Sequence, residues 1–168
     1  MATMIVGKVS SRRGFTLIEL IVTIAVAAIL AALAAPSYQR FIASNRLSSD
    51  YNEVLSGLNF ARSEAIKRRE AIEFTLEQGA APWSYYIIRA ADDYSVSPAS
   101  ALRVRESGNN SVSIVFGDGS VVFNSLGKSD CSSGCEIEVA ESTQGGCRVI
   151  TVSSFGRVGR GDECAEES

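Results

Sequence analysis

Gly14-Phe15-Thr16-Leu17-Ile18-Glu19-Leu20-Ile21-Val22-Thr23-Ile24-Ala25-Val26-Ala27-Ala28-Ile29-Leu30-Ala31-Ala32-Leu33-Ala34-Ala35 is the stretch on which the fold turns. From Phe15 to Ala35 it runs 21 residues with a single charge, Glu19. As a helix rising ~1.5 Å per residue it would span roughly 31 Å, close to the ~30 Å hydrocarbon core of a bilayer. It is longer than the ~7–15-residue apolar core of a cleaved secretory signal. An ionisable side chain so near the start of an apolar run is costly in lipid and marks a candidate functional residue. Lys8, Arg12 and Arg13 precede the run and hold that end on the cytoplasmic side. The chain beyond Ala35 then faces outward.

Outward from this segment, Pro36 removes one helical hydrogen bond and predicts a kink. Tyr38, Phe41, Ile42, Tyr51, Leu55, Leu58, Ala61, Ala65 and Ile66 follow helical spacing, with charged residues between them. They predict an amphipathic half-helix over 36–69 whose apolar face is available to a sheet. Ser48-Ser49-Asp50 leaves open a helix break with a new cap. Arg62, Lys67, Arg68 and Arg69 suit the negative end of the helix dipole.

From Ala71 the period changes to 2. Strands are expected over 72–77, 83–89, 102–105, 111–116, 121–123, 136–139 and 148–154. Gly79–Pro82 reads as a turn. Gly117-Asp118-Gly119-Ser120 between two β-rich runs gives the clearest hairpin signal, pairing 111–116 with 121–123. Gly156–Gly161 reads as a glycine-rich turn, and Asp162–Ser168 as an acidic, mobile tail. A helix followed by strands argues for an α+β fold, with the helix packed on an antiparallel sheet. The expected organisation is a leader at 1–14, an apolar half-helix at 15–35, an amphipathic half-helix at 36–69 and a β-rich domain at 70–168.

The chain has no His, which removes imidazole catalysis and imidazole metal ligands. Phosphate-loop, dinucleotide, metalloprotease and nucleophile-elbow motifs are missing, so no catalytic residue and no cofactor is expected. Without the leader, 13 basic residues face 19 acidic ones, a formal charge of −6. That opposes long-range attraction to nucleic acid. Cys131, Cys135, Cys147 and Cys164 form an even set on the outward side, a disulfide framework. Joining sequence neighbours across turn-like segments favours Cys131–Cys135 with Cys147–Cys164, although three pairings of four are possible. A zinc knuckle at Cys131-Ser-Ser-Gly-Cys135 has no second paired-Cys motif to complete it.

Gly14-Phe15-Thr16-Leu17-Ile18-Glu19-Leu20 resembles the class III signal of type IV pilins and pseudopilins, without a mismatch. Asn45-Arg46-Leu47, Leu58 to Arg68, Trp83 and Phe123-Asn124-Ser125-Leu126-Gly127 are similar to the FimT/GspH branch of minor pseudopilins. That resemblance implies cleavage by a prepilin peptidase after Gly14, N-methylation of Phe15, and a role for Glu19 in subunit assembly. It implies an inner-membrane protein, its C-terminal domain in the periplasm, that joins other pilins in a filament. The filament is either a type IV pilus or the pseudopilus of type II secretion. Ser154-Phe155-Gly156-Arg157-Val158-Gly159-Arg160 resembles the Gly-Arg-x-Arg element through which some members bind double-stranded DNA during uptake. It implies Gly156, Arg157 and Arg160 as DNA contacts. Gly159 stands where the second arginine belongs, and in a strand that shift would turn Arg160 to the opposite face.

Overall fold

The computed structural model describes residues 14–77, 82–95, 98–108, 110–143, 146–162 and 164. All of the expected 1–14 leader except Gly14, most of the turn at 79–82 and most of the acidic tail lie outside them. The chain divides into two compact units, Met1–Gln39 and Arg40–Ser168. One helix, α1 (Leu17–Arg68), runs through Pro36 without a break at Ser48–Asp50. Among the described residues it alone is long and apolar enough to cross a membrane.

In the second unit, α1 buries Ala43, Leu47, Tyr51, Val54, Leu58, Ala61 and Ala65. Those steps of three and four residues define one narrow stripe. Phe41 and Ile66, expected on the buried face, are 61% and 47% exposed. Tyr38, in the first unit, is likewise exposed. Gly57 lies in the stripe because Phe74 and Tyr85 press on it. A β-carbon there would come within 2.8 Å of the Tyr85 ring. Arg69 ends the helix with a φ of 59°. Lys67 and Arg68 bind the Glu64 carboxylate at 3.2 and 2.6 Å, so a local ion pair as well as the dipole fixes them.

Eight strands follow: β1 (Ile72–Glu77), β2 (Ser84–Arg89), β3 (Arg103–Glu106), β4 (Val112–Phe116), β5 (Ser120–Phe123), β6 (Cys135–Glu141), β7 (Cys147–Val152) and β8 (Val158–Arg160). They form two four-stranded antiparallel sheets rather than one, ordered β3-β2-β1-β5 and β4-β6-β7-β8. Alternation places Phe74, Tyr85, Val121, Phe116, Ile137 and Ile150 in one core with the α1 stripe.

The hairpin reading of 111–123 is overturned. The turn is present, with Gly119 at φ 71° and its amide donating to the Phe116 carbonyl at 3.0 Å. It joins strands of different sheets. β5 pairs with β1 in the register Phe74↔Val121, and β4 pairs with β6 in the register Ile114↔Val139. A turn signal reports a local reversal. Sheet partners are chosen by which apolar face each strand must bury. The reading of 156–161 as a turn only is also corrected. Val152 pairs with Val158 and Ile150 with Arg160, because Val158 packs on the core although glycines flank the strand.

Candidate functional site

The N-terminal site is built by the start of α1. Thr16 precedes the helix, and its Oγ1 accepts the Glu19 amide at 3.2 Å. Its carbonyl accepts the Leu20 amide at 3.2 Å. Thr16 is therefore the helix N-cap and Glu19 the third helical residue. Thr-x-x-Glu is a capping-box spacing, a signal the sequence reading passed over. The Glu19 carboxylate lies in the first turn, where the positive end of the helix dipole favours it. Phe15 projects just ahead of it and is 86% exposed.

The C-terminal site is the turn between β7 and β8. Ser153 accepts the Gly156 amide on its carbonyl at 2.7 Å and the Arg157 amide on its Oγ at 3.1 Å. Gly156 has φ 73°, and its α-carbon faces the carbonyl oxygen of Gly127 closely enough to exclude any side chain. Its role here is packing. Arg157 is exposed in the turn and Arg160 is exposed on the edge strand. Because 158–160 is a strand, Arg160 shares the pleat side of Val158, opposite to Gly159. Both arginines nonetheless line one open groove, together with Asp118 and Glu136. Among the described residues neither arginine forms an ion pair.

The cysteines are joined as Cys131–Cys135 and Cys147–Cys164, with α-carbons 5.5 and 6.2 Å apart. The second bridge fastens the chain beyond β8 to β7. Glu138 lies beside Cys147 and Cys164, but the bridged sulfurs are not thiolates and make no metal site.

Two further polar clusters of the second unit, around Glu53 and Asp50, tie α1 to the first sheet. Glu53 accepts the Tyr85 hydroxyl and an Arg103 N–H, each at 2.8 Å, and lies 3.3 Å from Arg105. Burial pushes its carboxyl up, but these donors prevail and hold it below its ordinary value. The same burial raises the Tyr85 hydroxyl far above the usual phenol range, and the Glu53 charge adds to the rise. Asp50 accepts Trp83 Nε1 at 3.1 Å and Ser107 Oγ at 3.4 Å. Desolvation outweighs both bonds there and raises its carboxyl.

An apolar N-terminal helix carrying this capped glutamate, continued into two antiparallel sheets, defines a type IV pilin-like protein of the minor pseudopilin kind. Residues 50–156 match the family model described as Type II transport protein GspH, and residues 9–35 match the prokaryotic N-terminal methylation motif. The chain belongs to the GspH family. Its family is one of structural pilins and pseudopilins, not of enzymes.

Among curated relatives, the type IV major pilin protein PilA of Myxococcus xanthus is 33% identical over 101 residues, 57% of this chain and 46% of PilA. The fimbrial protein EcpC of Eikenella corrodens is 49% identical over 41 residues, 24% of this chain and 27% of EcpC. The chain thus matches between about a quarter and a half of these relatives' length. The fold is shared with the type IV minor pilin FimU of Pseudomonas aeruginosa, with a TM-score of 0.59 at 22% identity. That match covers 73% of this chain and 92% of FimU.

Proposed function

We propose that the chain is a minor pilin that enters or primes a type IV pilus. Residues 1–14 act as a leader removed by a prepilin peptidase, 15–35 as the membrane and assembly segment, and 36–168 as the outward part. The observation that carries this reading is the Gly14–Leu20 motif, with Glu19 held in the first helical turn behind Thr16. Cleavage before Phe15 places a new, methylated amino group four residues from the Glu19 carboxylate. An ionised carboxylate in lipid is costly without a partner, and the amino group of Phe15, on its own subunit or a neighbour, would supply one. The test is the mass of membrane-extracted protein. The expected product has 154 residues and a methylated Phe15. Gly14→Val should retain the leader. Glu19→Ala should be cut and stay in the membrane, but fail to enter filaments. An uncut chain beside an active peptidase overturns the reading.

The family description favours a second assignment, the pseudopilus of a type II secretion system. Deleting the gene separates the two, since one predicts lost pili and the other lost secretion.

DNA contact by Arg157 and Arg160 is a further proposal, supported by their exposure on one groove. Asp118 and Glu136 in that groove oppose it. Binding would be to phosphates, insensitive to sequence and steeply lost with salt. Arg157→Ala with Arg160→Ala in the detergent-solubilised full chain should remove a low-salt gel shift. No shift by the parent chain at low salt would eliminate the role.

A further inference from the structure

β6 ends with a charge on its apolar side. Glu141 shares the pleat side of the buried Ile137 and Val139, and is itself 3% exposed. The Thr143 amide donates to its Oε2 at 3.0 Å, and the Thr143 hydroxyl donates to its Oε1. These bonds fix the direction of the carboxylate. It lines a cavity of about 270 Å³ together with Arg40, Ala43, Ser44 and Leu47 of α1 and with Gly146, just before β7. The four helical residues are spaced by three and four, so they present one face. A side chain at Gly146 would press on Leu47, whose Cδ2 lies 3.0 Å from the place a β-carbon would take. Arg40 is exposed, and among the described residues it forms no ion pair. A guanidinium and a buried carboxylate thus line one cavity without pairing with each other.

Burial makes the Glu141 charge costly, and a cation seated against it offsets part of that cost. A guanidinium presents two parallel N–H groups to a phosphate. A ligand that suits both ends carries a phosphate and an ammonium close together, and meets a small apolar wall from Ala43 and Leu47. The cavity is slightly smaller than the ~300 Å³ at which sites for drug-sized ligands begin, so it takes a small polar group and not a polymer. Its place in the chain points to the source. Arg40 follows Ala35, the end of the apolar run, by five residues. At ~1.5 Å per residue that is about 7.5 Å of helix, close to the depth of a ~5–7.5 Å headgroup layer. Helical side chains lean toward the N-terminus, and long basic ones near a membrane segment reach back to the interface.

We propose that this cavity binds the headgroup of a phospholipid ending in a primary amine, phosphatidylethanolamine, with its phosphate on Arg40 and its ammonium on Glu141. The proposal rests on the reading of 15–35 as the membrane segment. The ammonium brings three N–H donors to the carboxylate, whereas a trimethylammonium brings none and a glycerol headgroup carries no cation. The test is native mass spectrometry of the full chain in detergent. Phosphatidylethanolamine, phosphatidylcholine and phosphatidylglycerol with the same acyl chains are added at equal concentration. The ethanolamine lipid should give a single-lipid adduct at least roughly tenfold more abundant than either of the others, as a hydrogen bond to a charged group implies. Glu141→Gln should erase that preference. Arg40→Gln, on an exposed helix position, should lower the ethanolamine adduct roughly tenfold. Retention of both disulfides in peptide maps shows that the variants fold. A diazirine carried on the ethanolamine headgroup should label peptides from 40–47 or 141–146. Equal adducts of the three lipids, no adduct, label confined to 15–35, or a preference that survives both substitutions overturns the proposal. Displacement of the lipid by equimolar free O-phosphoethanolamine also overturns it, since the soluble compound is then the ligand. Alkaline carbonate extraction of the chain from its own membrane is read separately. A chain that washes out and still prefers the ethanolamine lipid overturns the membrane reading and leaves the headgroup preference standing. A chain that stays in the membrane and shows no preference overturns the site alone.

Discussion

Gly156 and Gly159 stand three residues apart and have opposite tolerances. Gly156 combines a φ of 73° with the Gly127 carbonyl against its α-carbon. Gly156→Ala should cost about 2 kcal/mol or more, read by urea unfolding, because both strain and overlap act. Gly159 is extended and has nothing within 4 Å of a built β-carbon, so Gly159→Ala should change stability by under about 0.5 kcal/mol. Nothing in the sequence distinguishes the two glycines. The difference arises from a loop that approaches from residue 127. The carboxylates beside α1 set the response to acid. Glu53 and Glu64, the latter held down first by Arg68, lie below their usual 4.5 in the fold. A depressed carboxyl stabilises the native state at neutral pH, and that gain is lost as pH falls from about 4.5 through the folded value. Asp50 works in the other direction. Raised above 3.8, it is protonated more readily in the fold and offsets part of the acid loss. Glu53→Gln should therefore lower stability at about pH 7 and flatten its decline toward about pH 3. Asp50→Asn should steepen that decline. Urea midpoints across this range check both signs.

Among the elements, β8 depends most on a covalent link. It is a three-residue edge strand, and the Cys147–Cys164 bridge closes a separation of 17 residues behind it. Replacing both cysteines by serine should cost about 3 kcal/mol by the chain-entropy relation. Hydrogen exchange should speed up at Val158–Arg160 while β1 and β2 keep their protection. Elements were legible where one period ran long enough. The apolar run, the continued helix and most strands follow from spacing alone. The helix stripe was misjudged at Phe41 and Ile66 because apolar character was counted without its angle around the axis. β8 was hidden by glycines that local propensity assigns to turns. The split into two sheets left no local trace, since the Asp118–Gly119 reversal has the same residues whether its flanking strands pair or part.

At the scale of the whole molecule, the N-terminal methylation motif was legible in the sequence and the C-terminal contacts were not. Glu19 declares itself by being charged within an apolar run. Arg157 and Arg160 depend on which face of a short strand they take. Ala27→Arg, in the middle of the run, should raise the cost of insertion by about 2.5–3.5 kcal/mol. The parent chain should stay in the pellet of an alkaline carbonate wash, and this variant should move substantially to the supernatant. The departure of β5 from β4 has a further consequence, in time rather than in space. β1, β2 and β3 follow one another along the chain and can pair as they emerge. The other edge of β1 must wait for β5, which lies beyond β4. Until Phe123 arrives, that edge presents unpaired amides and carbonyls beside an apolar face, open to any other extended chain. A chain emerging N-terminus first therefore carries this unpaired edge until nearly three quarters of it has been delivered, as the position of Phe123 among 168 residues dictates.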